Sequence, residues 1–267
     1  MMPGPFGPAV LAVLMLAFGA VHGRAAAPRV GADQGADSVA LAINIPAFRL
    51  ELLRNGRVAS RYPITVGQRR YPTPTGAFTI ERAELNPSWT PPASEWAADA
   101  KRTPPGPRNP MGRAKLMFLP LYYVHGTPDS GSLGGAGSHG CVRMSNPDVL
   151  QLTVDLIRAE APETTDSSLA ALIAGNRRTR VVVFERPVPI ALYYRPIEIA
   201  DDVVLVHHDV YRLWADSLER DTRERLEAAL QPRPISAAAM AELVERMRSL
   251  PAGASLTIPL DSIARGG

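Results

Sequence analysis

From residue 38 onward, apolar and polar side chains alternate. Phe48, Leu50 and Leu52 are separated by Arg49 and Glu51, and a second alternating run covers residues 58–66. Successive side chains of an extended strand point to opposite faces, so each run describes a strand with one apolar face. Asn55-Gly56 lies between the two runs, and this pair accepts the left-handed backbone of a two-residue turn. The segment is therefore read as a β-hairpin. Further strands are expected at residues 77–82, at 116–124 and, buried, at 180–184.

The period becomes helical after residue 145. Asn146-Pro147-Asp148 offers a cap, a proline for the first helical position and an acid for the first turn, opening a helix expected to reach about Glu160. A shorter helix over residues 167–174 stops at Gly175. From Pro187 the pattern changes again: residues 190–199 and 203–207 read as a second hairpin, followed by helices near 210–230 and 236–250. Strands fill the first two thirds and helices come late. The expected fold is mainly β (α+β), a sandwich or barrel-like core with a short helix after Cys141 and a C-terminal hairpin plus helices.

Between the third and fourth expected strands lies a segment of 27 residues, 86–112, holding seven prolines and two tryptophans. Proline fixes φ and removes a donor, so this segment is neither a central strand nor a helix interior. Its aromatics point to a packed lid, because disordered tracts are poor in them.

Residues 8–21 are apolar throughout and are followed by Arg24 and Ala25-Ala26-Ala27. That run is too short to span a bilayer and fits the core of a secretory signal peptide cut after residue 27, although no Lys or Arg precedes it. An uncleaved anchor and a buried helix are the alternatives. Residues 28–37 then read as a linker, and the remainder is long enough for one large domain or a domain with an appendage. With 29 basic and 26 acidic residues the formal charge is +3 and the pI about 9.2. The charges are interspersed, so nothing reads as a nucleic-acid stripe.

Cys141 is the single cysteine, so no internal disulfide can form. A lone cysteine is either a small buried hydrophobe or a thiol kept for reactivity. Its neighbours favour reactivity. His139 stands two residues before it, and His125 ends an expected strand upstream, across the glycine-rich loop 128–137 that lets the backbone double back. A thiol ionises by only a few per cent at neutral pH, and a neighbouring imidazole can take its proton. An attacked carbonyl also needs backbone N–H groups aimed at its developing oxyanion, each worth about 3–4 kcal/mol of barrier, and Gly140 leaves room for a substrate to reach its own N–H and that of Cys141. His125 is the better candidate base, with His139 packed or orienting. A metal site built from Cys141, His139 and His125 stays open, although neither a CxxC nor an HExxH pattern occurs. His207 and His208 read as structural or surface residues.

Tyr123-Val-His-Gly-Thr127, followed after the glycine-rich loop by Ser138-His-Gly-Cys-Val-Arg-Met144, resembles the signature of the L,D-transpeptidases of the YkuD type, in particular their ErfK/YbiS branch. Thr73-Pro-Thr-Gly-Ala-Phe78, Asn86-Pro-Ser-Trp-Thr-Pro-Pro92 and Met111-Gly-Arg-Ala-Lys-Leu116 match as well. The resemblance covers residues 38–186, giving the division 1–27 signal peptide, 28–37 linker, 38–186 YkuD catalytic domain and 187–267 C-terminal extension.

The resemblance implies a YkuD-like β core and a cysteine acyl transfer. Cys141 would be the nucleophile and His125 the base, with the carbonyl of Gly126 holding its imidazole. Gly140 would supply an oxyanion donor together with Cys141, while Ser138 and His139 would brace the loop. Arg143 would meet a substrate carboxylate, and Trp89 and Tyr123 would contact the stem peptide. The implied donor is a peptidoglycan tetrapeptide stem attacked at its third residue, meso-diaminopimelate by expectation, with no metal or organic cofactor. The acceptor would be another stem, giving a 3-3 crosslink, or the lysine of an outer-membrane lipoprotein; water as acceptor would make the enzyme a carboxypeptidase or endopeptidase. Carbapenems would acylate Cys141, and the protein would be periplasmic in a Gram-negative cell and associated with the wall. The rival reading is a non-catalytic wall-binding or metal-binding domain, against which Cys, His, Gly and Arg stand intact at every signature position.

Overall fold

The computed structural model of the chain describes residues 38–175, 177–231 and 234–264; the expected signal peptide and linker lie outside them. β1 (Val39–Asn44), β2 (Arg49–Arg54) and β3 (Arg57–Pro63) form an antiparallel meander. Asn55 and Gly56 make its second turn with φ of 51° and 73°, the left-handed pair the hairpin reading requires. The short β4 (Val66–Gly67) follows, then β5 (Gly76–Leu85), β6 (Ala114–Leu119) and β7 (Tyr122–Thr127). The stretch expected as one strand over 116–124 is thus two. Pro120 and Leu121 turn the chain between β6 and β7, and Leu121 takes φ 69°, a turn that its apolar side chain concealed.

β8 (Ala136–Ser138) pairs in parallel with β4, and β9 (Val142–Ser145) leads into α1 (Asn146–Glu160) and α2 (Asp166–Ala174). The cap of α1 is Ser145, one residue earlier than expected, its side chain accepting from the N–H of Asp148. Asn146 is thereby free for another use: its Oδ1 accepts from the N–H of Arg113 at 2.9 Å. Val149, Leu152, Leu156 and Ile157 form the buried stripe of α1, which packs on β6, β7, β9 and β10 (Arg180–Tyr193).

β10 pairs in parallel with β1 and antiparallel with β5, so the main sheet runs β3-β2-β1-β10-β5-β6-β7-β9. The protein is mainly β, with this eight-stranded sheet carrying the larger core. The 186/187 division read from the sequence falls inside β10, so residues 187–193 belong to the main sheet rather than to a hairpin. The C-terminal hairpin is formed instead by β11 (Ile197–Ala200) and β12 (Val203–His207), and it gains a third strand, β13 (Ser255–Pro259). Around it lie α3 (Asp216–Leu230), α4 (Ala237–Ser249) and α5 (Leu260–Ala264), enclosing a second core built on Val204, Leu226, Met240 and Met247. α3 starts at Asp216, later than residue 210, because Asp209 to Trp214 fold into a turn knit by the Asp209 carboxylate.

Candidate active site

The parallel pairing of β7 with β9 sets Val124 beside Val142 and His125 beside Arg143. Val124, Val142 and Met144 are wholly buried in the core, so by strand alternation Tyr123, His125, Cys141 and Arg143 share the opposite face. Cys141 lies across from Tyr123 and diagonal to His125. The two side chains thus project from the same face of neighbouring strands. All four side chains line one cavity of about 260 Å³.

Nδ1 of His125 lies 2.7 Å from the carbonyl oxygen of Gly126. A carbonyl only accepts, so Nδ1 carries the hydrogen and Nε2 is the free basic nitrogen. Gly126 is needed for its size: an added Cβ would stand 2.5 Å from Asn146 Oδ1 and 2.9 Å from Val149. Burial, followed by the charges of Arg143 and Lys115, lowers the His125 pKa to about 4 against the support of the Gly126 bond. Burial also raises the Cys141 thiol, with the backbone of Tyr123 and the charge of Arg143 opposing, and Sγ lies 3.5 Å from the carbonyl oxygen of Leu121 as a donor. Both directions leave the proton on sulfur at neutral pH. The imidazole is therefore poised to take the proton as sulfur attacks, rather than holding it beforehand.

The nucleophile loop is tied within itself. Ser138 Oγ donates to the carbonyl of Cys141 at 2.5 Å and accepts from the N–H of Gly140 at 3.0 Å. The Gly140 N–H, expected to face an oxyanion, is thus engaged inside the loop, on a backbone of φ 105° where an added Cβ would stand 2.6 Å from the ring of Tyr122. His139 braces the loop from outside. Its ring stacks on Trp96 with centroids 4.1 Å apart and leans on Tyr71 at 4.8 Å.

The lid segment 86–112 is ordered by its own backbone. Trp89 and Thr103 exchange two N–H···O bonds of 2.9 Å, and buried Asn109 donates to the carbonyls of Thr103 and Pro104 while accepting from the N–H of Met111. Trp89, Trp96, Pro110 and Met111 form one wall of the cavity. Every candidate side chain named from the sequence lines it: Cys141, His125, Arg143, His139, Ser138, Trp89 and Tyr123, while the backbone of Gly126 and Gly140 stands behind. Among the lining residues not named as site residues from the sequence are Lys115, Leu121 and Trp96. Lys115 shares a register position with His125 on β6, which the alternation of buried Ala114, Leu116 and Phe118 could have revealed. Leu121 comes from the unrecognised turn, and nothing in the spacing distinguishes Trp96 from Trp89. The cavity thus carries two cationic side chains, Arg143 and Lys115, the latter 3.2 Å from Glu84 Oε2 behind it, and among the described residues no carboxylate lines it. Among the described residues no cluster of three His, Cys, Asp or Glu side chains is placed to hold a metal ion.

Residues 38–158 match the family model of the YkuD L,D-transpeptidase catalytic domain. This segment is similar to the L,D-transpeptidase catalytic domains of the YkuD type. Two curated proteins bearing L,D-transpeptidase names are similar to part of this chain. YkuD of Bacillus subtilis (strain 168) is 36% identical over 113 residues, 42% of this chain and 57% of that protein. YbiS of Escherichia coli (strain K12) is 40% identical over 95 residues, 33% of this chain and 31% of that protein. The chain therefore spans from about a third to just over half the length of these relatives. The NMR structure of the catalytic domain of the E. faecium L,D-transpeptidase overlaps 60% of this chain and 100% of that one, at 13% identity and a TM-score of 0.38.

Proposed function

We propose that the protein is a peptidoglycan L,D-transpeptidase that works by cysteine acyl transfer. The observation that carries this reading is the meeting of Cys141, His125 and Arg143 in one cavity, with the imidazole held by Gly126 so that Nε2 is free. Sulfur attacks the carbonyl of the third stem residue while Nε2 takes its proton. The tetrahedral oxyanion is met by the N–H of Cys141, and its collapse expels the terminal D-Ala, whose amine receives the proton from Nε2. In the second step an amine attacks the thioester, Nε2 removes its proton, and sulfur leaves. The guanidinium of Arg143 in the cavity lining suits an anionic stem. Meso-diaminopimelate as the attacked residue, and a stem amine or a lipoprotein lysine as acceptor, complete the proposal. So does export to the periplasm, which rests on the apolar run at residues 8–21.

The test is muropeptide analysis by mass spectrometry after the protein is incubated with tetrapeptide-rich sacculi, with and without lipoprotein. The expected product is a 3-3 crosslinked dimer or a protein-linked muropeptide. Tripeptides alone would make water the acceptor. Unchanged sacculi, together with no carbapenem adduct on Cys141 by intact mass, would end the transpeptidase reading.

A further inference from the structure

We propose that Tyr211, which lies beyond the matched YkuD segment, is a positioning residue for the nucleophile loop; this rests on the transpeptidase reading above. Its side chain is 5% exposed, and its hydroxyl donates to the carbonyl of Gly67 at 2.9 Å while accepting from the N–H of Thr73 at 3.0 Å. Thr73, also buried, passes the connection on. Its Oγ1 accepts from the N–H of Gly67 at 2.8 Å and donates to the carbonyl of Gly140 at 3.0 Å. Gly140 is the residue before the nucleophile, and its N–H and the carbonyl of Cys141 both bind Ser138 Oγ. Three side-chain oxygens thus join the C-terminal segment to Cys141.

The strand end carrying Gly67 is pressed on the same loop. A Cβ at Gly67 would stand 2.9 Å from Gly140 Cα and 2.1 Å from the carbonyl of Tyr71. Gly140 itself holds φ 105°, a state open to glycine and rarely to other residues, so the hydrogen bonds around it, rather than its own preference, select its position. The Tyr211 hydroxyl is part of that hydrogen-bonded frame and is itself fixed from behind. Tyr194 and Tyr211 stack at 5.5 Å, and the Tyr194 hydroxyl accepts from the N–H of Tyr211 at 2.8 Å and donates to Asp209 at 2.5 Å. Asp209 closes the turn by accepting from the N–H groups of Leu213 and Trp214, both at 2.9 Å. Without the hydroxyl, the Gly67 carbonyl and the Thr73 N–H lose their partner in a buried site, and the loop must move to recover one.

The test compares the full chain with Tyr211→Phe, which keeps the ring and deletes the oxygen. Acylation by meropenem is followed by intact mass over a concentration series, and iodoacetamide alkylation of Cys141 is followed against pH. Folding is checked by near-UV circular dichroism. The maximal acylation rate is expected to fall by about tenfold or more with little change in the half-saturating concentration, as small misplacements of reacting groups do. The alkylation pH profile is expected to shift. Thr73→Val should reproduce both effects, and Thr73→Ser, which keeps the oxygen, should retain more of the rate than Thr73→Val. A Tyr211→Phe protein with wild-type acylation and alkylation, whatever its melting temperature, overturns the proposal. Should wild type take no carbapenem, the transpeptidase reading fails instead, and the alkylation profiles alone decide the role of Tyr211. Should Tyr211→Phe not fold, the Thr73 pair decides it.

Discussion

His125 sets the pH behaviour of the site. Its folded pKa of about 4 lies below the ordinary imidazole value, so the unfolded chain binds a proton that the folded one refuses. That contribution to stability is complete above pH 6.5 and is lost as pH falls toward 4. Denaturant titrations at pH 7.5 and 4.5 should differ by about 2–3 kcal/mol more for wild type than for His125→Asn. For the same reason the acid limb of Cys141 acylation should lie well below pH 6.5, toward 4, while acylation undiminished by His125→Asn would remove His125 as the base. Gly140→Ala places a Cβ 2.6 Å from the Tyr122 ring on a backbone that side chains rarely adopt, and should abolish acylation while the far-UV spectrum stays that of the wild type.

Among the elements, α1 and the lid hold the site from two sides. Ser145 caps α1 directly after β9, so Ser145→Ala should cost about 1 kcal/mol in urea unfolding. The lid rests on the loop through the ring of Trp96, and Trp96→Ala should speed tryptic cleavage at exposed Lys101 and Arg102 several-fold. Much of this was legible because alternation and turn residues are local signals: Asn55-Gly56, the stripe of α1 and the aromatic lid could all be read directly. The β6–β7 turn was not, since Pro120-Leu121 carries an apolar residue where a glycine or asparagine would have marked it. The site was legible from its motif, but the engagement of the Gly140 N–H was not, because that depends on where Ser138 and Tyr122 meet in space.

At the scale of the whole molecule, the C-terminal module is joined to the main sheet by charge as well as by Tyr211. Glu198 binds Arg49 Nη2 through both oxygens at 2.9 and 3.2 Å, and binds His207 at 3.1 Å. Burial alone would raise its pKa, yet His207 and Arg49 hold it down to about 2. Glu198→Gln should therefore cost about 2 kcal/mol in chemical denaturation, since it removes one partner of a half-buried pair. His207, read as structural from the sequence, has this role, with Nδ1 on Ser255 at 2.7 Å. The partner strand of β1 was the hardest element to foresee: Leu41 pairs with Ile190, and no local pattern names so distant a neighbour. That pairing has a consequence for synthesis. β10 sits between β1 and β5, so a growing chain carries Cys141 out of the ribosome well before the strand that unites the two halves of its sheet. Until that strand arrives, the thiol has no finished scaffold around it, and the catalytic arrangement waits on the C-terminal third of the chain.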